Sequence, residues 1–211
     1  LMVDIFGADH MDAYPDVLAA INSLGFNPQK VKVLIYQFVT ILKDGAPIKM
    51  STRKANFISL ENLIDEVGAD VTRFFFIMRS INSHLNFDLE IAKEKSEKNP
   101  IYYIQYAHAR IMSILRISDL NTNNANLKLL NQDNEVKMIT KLTSFKEVVL
   151  KLKNQLEPQI LANYLLELAS MFHKYYAKNK IINENMELSK ARLVFIIAIS
   201  IILKNGLKIL G

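Results

Sequence analysis

Residues 99–117, Asn-Pro-Ile-Tyr-Tyr-Ile-Gln-Tyr-Ala-His-Ala-Arg-Ile-Met-Ser-Ile-Leu-Arg-Ile, decide how the chain is divided. Proline fits the first turn of a helix, where its missing N–H costs nothing, and it breaks any helix that precedes it. Asn99-Pro100 therefore marks a border, with one part over 1–98 and another over 99–211. From Pro100 the pattern predicts one long helix to about Ile117. Tyr102, Tyr106, Ala109 and Ser113 recur at three-to-four spacing and share a face of it. Aromatic rings with His and Arg on one helix can stack on and hydrogen-bond exposed bases. Packing between bundle helices is the plainer use of most of the same residues.

Beyond this helix, 119–134 is polar and asparagine-rich and predicts a loop with one short turn. Helices are predicted over 134–155 and 158–180, separated by Glu157-Pro158, and a last one over 188–204. The second of these places Tyr176 near Lys174, Lys178 and Lys180. The last contains 11 residues without a charge, Leu193–Leu203, fewer than the roughly 20 apolar residues a bilayer crossing requires. A central bundle helix, closed by Gly206 as its cap, is expected there, and no membrane association. The second part is mainly α.

Before Asn99 the pattern changes. Met2–Phe6 is a short apolar run that ends at Gly7, as a buried parallel strand would. Gly-Ala-Asp-His leads into a helix, Met11–Leu24, with Gly25 as its C-cap. Strand, small turn and helix is the geometry in which parallel sheets place ligands at their carboxyl ends, which puts Asp9 and His10 at such an edge. Val31–Thr40 predicts one strand buried on both faces. Ser59 is a good N-cap for a helix that ends at Gly68, Asp70 starts another, Ser83–Asp88 connects, and a further helix runs from Leu89 to about Lys98.

Between that strand and Ser59 lies Lys43–Asn56, KDGAPIKMSTRKAN. Asp44-Gly45 is a tight-turn signal, after which Lys49, Arg53 and Lys54 accumulate beside Ser51 and Thr52 with only one acid, Asp44. Such a cationic tip suits a polyphosphate that gains charge as it reacts. On composition alone, a basic loop is also an ordinary solvated connection.

Composition sets the remaining bounds. The chain has 211 residues, half of them hydrophobic, and a mean hydropathy of +0.11, which fits a folded domain with a substantial core. It contains no cysteine, so disulfides and cysteine-held metals are excluded, and a reducing cytoplasm is expected. Residues 1–99 hold 11 Lys and Arg against 13 Asp and Glu, and residues 100–211 hold 15 against 8. The basic second half suits a phosphate-backbone partner. No repeat of 20–50 residues is present.

Lys49-Met-Ser-Thr-Arg53 resembles the KMSK signature of class I aminoacyl-tRNA synthetases. The strings Asn56–Asp70, Arg73–Phe76 and above all Asn99–Arg110 are similar to the arginyl-tRNA synthetase version. The resemblance implies the C-terminal edge of a Rossmann-type α/β catalytic domain followed by an all-helical anticodon-binding bundle. It implies an activity in which arginine and ATP form arginyl-adenylate and the arginyl group passes to tRNA(Arg), with Mg²⁺ arriving on ATP and no metal site in the chain. Thr52 replaces the second lysine of the commonest motif. Catalysis is therefore carried over to Lys49 and Arg53, and ATP binding to Gly7, Asp9, His10, Lys49, Met50, Ser51, Arg53 and Lys54. tRNA binding is carried over to Tyr106, Arg110, Lys174, Tyr176 and Lys178. The His-x-Gly-His motif of the class follows none of His10, His84, His108 or His173. The chain is accordingly expected to be a C-terminal fragment, inactive alone, of a monomeric cytoplasmic enzyme. Another class I synthetase, or a non-catalytic tRNA-binding module derived from one, stays open.

Overall fold

The computed structural model describes residues 2–48 and 58–211. Its N-terminal unit is a parallel pair, β1 (Met2–Gly7) beside β2 (Val31–Tyr36), in the register Met2 to Val31 through Gly7 to Tyr36. Parallel neighbours need a crossover, and α1 (Tyr14–Ser23) supplies it, with Pro15 in its first turn. The helix begins three residues later than the sequence suggests, because the chain from Met11 to Ala13 is a turn. Gly25 follows its end at φ +83°, where a side chain would be strained.

The single strand expected over 31–40 is two strands in two sheets. β3 (Val39–Lys43) leaves β2 at Gln37, whose N–H donates to the Ile81 carbonyl at 2.9 Å. It pairs in parallel with β5 (Leu85–Asp88) and antiparallel with β4 (Ala46–Pro47). The change of sheet resets the side-chain alternation at Gln37-Phe38, which made the apolar pattern look like one strand buried on both faces. Asp44 at φ +51° and Gly45 at φ +74° form the expected tight turn between β3 and β4. β5 replaces the expected connection. Its Leu85 and Phe87 are buried while Asn86 between them faces out, the alternation of a half-buried strand.

α2 (Leu60–Val67) starts on a reciprocal cap, in which Ser59 Oγ accepts from Asn62 N–H at 3.1 Å and Asn62 Oδ1 accepts from Ser59 N–H at 3.1 Å. Gly68, at φ +90°, turns the chain into α3 (Ala69–Ile77). Asp88 caps α4 (Leu89–Lys93) through two backbone N–H bonds. That helix stops five residues short of the expected Lys98, where Glu94 turns extended.

The bundle opens with α5 (Pro100–Ile117). Asn99 Oδ1 accepts from Tyr102 N–H at 3.3 Å and its Nδ2 donates to the Ala92 carbonyl at 2.9 Å, so the buried asparagine joins the helix to the preceding unit. The helix expected over 134–155 is α6 (Asp133–Thr143) and α7 (Phe145–Gln155), parted at Ser144, whose Oγ donates to the Lys141 carbonyl at 2.8 Å. α8 (Gln159–Lys178) and α9 (Met186–Leu210) complete it. α5, α8 and α9 pack together around Ile104, Ile111, Leu165, Phe172, Ile196 and Leu203, all fully buried. Burial of each such side chain stabilises the fold by about 1.5–3 kcal/mol. The same apolar cluster continues through Phe74, Phe75 and Phe87 into α3 and β5, and through Ile41 into β3.

α9 runs past the expected end at Lys204 to Leu210, which makes it long and apolar enough to cross a membrane by length and composition alone. Here its apolar residues Leu193, Ile196, Ile199 and Leu203 are buried inside the bundle. Gly206 is not a cap but a mid-helix contact, since a Cβ there would overlap the Leu165 side chain.

Candidate nucleic-acid interface

Tyr102, Tyr106 and Arg110 recur every four residues on α5 and so rise along one face of it. His173 and Tyr176, three apart on the neighbouring α8, face the same way. The Arg110 guanidinium lies between two tyrosines, 4.4 Å from the Tyr106 ring centre and 4.9 Å from that of Tyr176. Its Nη2 donates to Tyr106 Oη at 2.6 Å. Tyr102 lies parallel to Tyr106 at 6.0 Å. Tyr106 is 42% exposed and Tyr176 36%, whereas the adjacent Tyr175 is 1% exposed and belongs to the core. A cation between two aromatic faces at these distances is attractive and holds the rings in place at the surface.

Behind the pile sits His173. Arg110 Nη1 is 3.3 Å from its Nδ1, and its Nε2 is 3.1 Å from the Tyr103 carbonyl oxygen. Arginine has only donors and a carbonyl only accepts, so Nδ1 is the bare nitrogen and Nε2 carries the proton. Burial pushes the imidazole below its ordinary pKa, the Tyr103 carbonyl opposes this, Arg110 adds to it and Glu97 opposes it. The neutral ring that the hydrogen bonds require is also the form that the surroundings favour.

Tyr106 and Arg110 line one hollow beside the pile and Tyr176 lines another. One, of about 440 Å³, is lined by Lys95, Glu97, Tyr102, Tyr103 and His173. The other, of about 490 Å³, is lined by Ile114, Ile117, Tyr176, Lys178, Lys180 and Ile182. Arg192 fixes the floor of the second, donating to the Lys180 carbonyl at 2.7 Å and to Asn179 Oδ1 at 3.4 Å while pairing with buried Glu135 at 3.3 Å.

Of the residues expected to bind tRNA, the structure thus brings Tyr106, Arg110 and Tyr176 into one assembly, with Lys178 at its margin. Lys174 is exposed but lies two residues from Tyr176, about 200° around the helix, and lines neither hollow. The structure adds Tyr102, His173 and Lys180 to this surface; the sequence placed Tyr102 on the same helix face and Lys180 near Tyr176 but did not single out His173. His173 stands one turn before Tyr176, and that spacing was the available signal.

At the carboxyl end of β1, Gly7 leads into a single helical turn, Ala8–His10. Asp9 and His10 are exposed and 3.6 Å apart, and a Cβ on Gly7 would overlap the Asp9 carboxylate. Lys49, Met50, Ser51, Arg53 and Lys54 lie outside the described residues. Among the described residues there is no group of three or more His, Asp or Glu side chains arranged to hold a metal ion.

The family model described as DALR anticodon binding domain matches residues 104–211. Over its full length the chain is 48% identical to an arginine–tRNA ligase of Salinibacter ruber and 46% identical to one of Chlorobaculum tepidum, covering 38% and 40% of those proteins. A solved structure from Campylobacter jejuni, provisionally assigned as an arginyl-tRNA synthetase, is 33% identical and superposes with a TM-score of 0.86 over 99% of this chain and 46% of its own. The arginyl-tRNA synthetase of Thermus thermophilus shares the fold, with a TM-score of 0.75 at 22% identity over 99% of this chain and 40% of its own. With more than half of its residues matched by the family model, the chain belongs to the DALR anticodon binding domain family.

Proposed function

We propose that this chain is the tRNA-binding and ATP-loop portion of a cytoplasmic, monomeric arginine–tRNA ligase. Residues 99–211 bind the anticodon loop of tRNA(Arg), and residues 1–98 complete a catalytic domain that joins arginine to ATP and then to tRNA. The observation that carries the tRNA role is the exposed pile of Tyr106, Arg110 and Tyr176 on the bundle that matches the anticodon-binding family. Flat aromatic and guanidinium faces at a surface stack on unpaired bases, and the basic side chains Lys178 and Lys180 beside them attract phosphate.

The catalytic role rests on the sequence of the basic loop and on the relatives' activity. Lys49 and Arg53 hold the charge that develops on the ATP phosphates, while Met50, Ser51 and Lys54 complete the loop. Gly7, Asp9 and His10 border the nucleotide at the end of β1. Mg²⁺ enters with ATP, and the chain's own part is to position and neutralise phosphate.

Aminoacylation by the intact protein tests the proposal. It should attach arginine to tRNA(Arg) and release pyrophosphate from ATP, whereas the 211-residue chain alone should give no arginine-dependent ATP–pyrophosphate exchange. Charging of a different amino acid, or exchange by the chain alone, would contradict it.

A further inference from the structure

Arg110 is the centre of the exposed pile, yet neither tyrosine alone fixes where its guanidinium points. Tyr106 Oη takes one Nη2 proton at 2.6 Å. The second anchor is His173 Nδ1, 3.3 Å from Nη1. His173 is itself clamped from behind, because its Nε2–H donates to the Tyr103 carbonyl at 3.1 Å. Its ring also packs against Tyr103 at 4.4 Å and lies near-parallel to Tyr106 at 5.7 Å. A half-buried imidazole with both nitrogens engaged has one orientation and one tautomer. Among the described residues, Arg110 makes no other side-chain hydrogen bond.

We propose that His173 is the positioning residue of the RNA-binding surface: by accepting from Arg110 it fixes the guanidinium between Tyr106 and Tyr176 in the orientation that receives an unpaired base or its phosphate. The proposal rests on the tRNA-binding function given above. It assigns His173 no contact with RNA; it acts through Arg110.

The arrangement makes the role dependent on protonation. A proton on Nδ1 removes the acceptor that His173 offers to Arg110 Nη1 and sets two cations side by side. The charged groups around the ring are Arg110 on α5, Glu97 in the turn before it and Lys95 lining the same hollow, with the hydroxyls of Tyr102, Tyr103 and Tyr106. Glu97 favours the proton and Arg110 opposes it, and burial sides with Arg110. Near neutral pH the ring is therefore bare at Nδ1 and the clamp is closed. In acid it opens, although the added charge by itself would attract RNA. A general gain in cation charge and a loss of positioning thus move binding in opposite directions, which separates them.

Two readouts on the intact protein and on His173 variants test this. The first needs no RNA. In ¹⁵N NMR of the wild type near neutral pH, the Arg110 Nη–H groups should resolve as a slowly rotating guanidinium. They should average to one broad signal in His173→Phe, which keeps a packed ring but has no acceptor. His173→Gln, whose amide can accept from Arg110 and donate to Tyr103, should restore the wild-type pattern. The second is binding of an anticodon stem-loop RNA of tRNA(Arg). His173→Phe should weaken it by about tenfold, as expected for the loss of one bond to a charged group, while His173→Gln stays near the wild type and loses the weakening on acidification. If the wild type fails to bind the RNA, the function proposed above falls, and the NMR arm still decides the positioning role. If the wild type binds and His173→Phe matches it, or if Arg110 rotates freely in the wild type, the positioning role is overturned.

Discussion

Glu135 and Arg192 meet at 3.3 Å in the interior of the bundle, with side chains 0% and 6% exposed. The carboxylate also accepts from Tyr175 Oη at 2.7 Å, and burial followed by that bond pushes the phenol well above its ordinary pKa. This network ties α6, α8 and α9 together and, through Arg192, anchors Asn179 and Lys180 beneath the hollow next to Tyr176.

Removing one partner should be far worse than removing both. Glu135→Ala strands the buried guanidinium and should cost about 3–5 kcal/mol in denaturant unfolding. Glu135→Leu with Arg192→Met should cost distinctly less, because no charge is left unpaired. Equal losses in the two variants would mean that the pair is not desolvated as the structure shows.

Gly206 offers a test of packing with an inverted sign. On an exposed helix face Gly→Ala gains roughly 1 kcal/mol. Here the new methyl overlaps the fully buried Leu165 side chain, so one of the two must shift. Gly206→Ala should therefore lower stability by about 1–3 kcal/mol, seen as a lower Tm. A raised Tm would show that α8 and α9 are less closely packed.

Stability should also fall in mild acid. Burial holds His108 and His173 below the ordinary imidazole value of 6.5, with Lys204 adding to the shift at His108. The unfolded chain then binds protons that the folded chain refuses. Their contribution is complete above 6.5 and is lost as pH falls through the folded values. Tm should drop between about pH 7.5 and about pH 5, and the double variant His108→Gln, His173→Gln should drop less. An equal drop would assign the effect to other groups.

Under the proposed function, Lys49→Ala or Arg53→Ala in the intact protein should each slow arginine activation by roughly 10²-fold with little change in arginine affinity, as expected for groups that act on the transition state. Thr52→Ala should be nearly silent. Equal damage at Thr52 and Lys49, measured by pyrophosphate exchange, would show that the motif is aligned wrongly.

α9, capped by Asn185, starts two residues earlier than expected. The start of α2 was legible at Ser59 because the capping residue and its partner lie within one turn, and that of α5 because proline suits a first turn. The tight turn at Asp44-Gly45 was legible for the same local reason. What depends on distant partners was not. Gly206 has the chemistry of a cap, and only Leu165, 41 positions away in the chain, makes it a packing contact. β5 was hidden because a four-residue alternation gains meaning only beside β3. The interface was half legible. Tyr106 and Arg110 share a helix and announce each other by spacing, whereas His173 reaches Arg110 across 63 positions and needs the α5–α8 contact to be seen.

Filter binding of tRNA(Arg) over a series of salt concentrations decides whether the pile on α5 and α8 is a base-stacking surface. Stacking on one tyrosine contributes about 1–3 kcal/mol and depends little on salt, whereas each lysine–phosphate contact steepens the salt dependence by about 0.7–0.9. Tyr176→Ala should weaken binding by about tenfold with an unchanged salt slope and an unchanged circular dichroism spectrum. Lys178→Ala should flatten the slope, and Lys174→Ala should do so only if phosphate also reaches the far side of α8. Wild-type affinity in Tyr176→Ala, or weakened binding accompanied by loss of helical signal, would rule out base stacking on Tyr176.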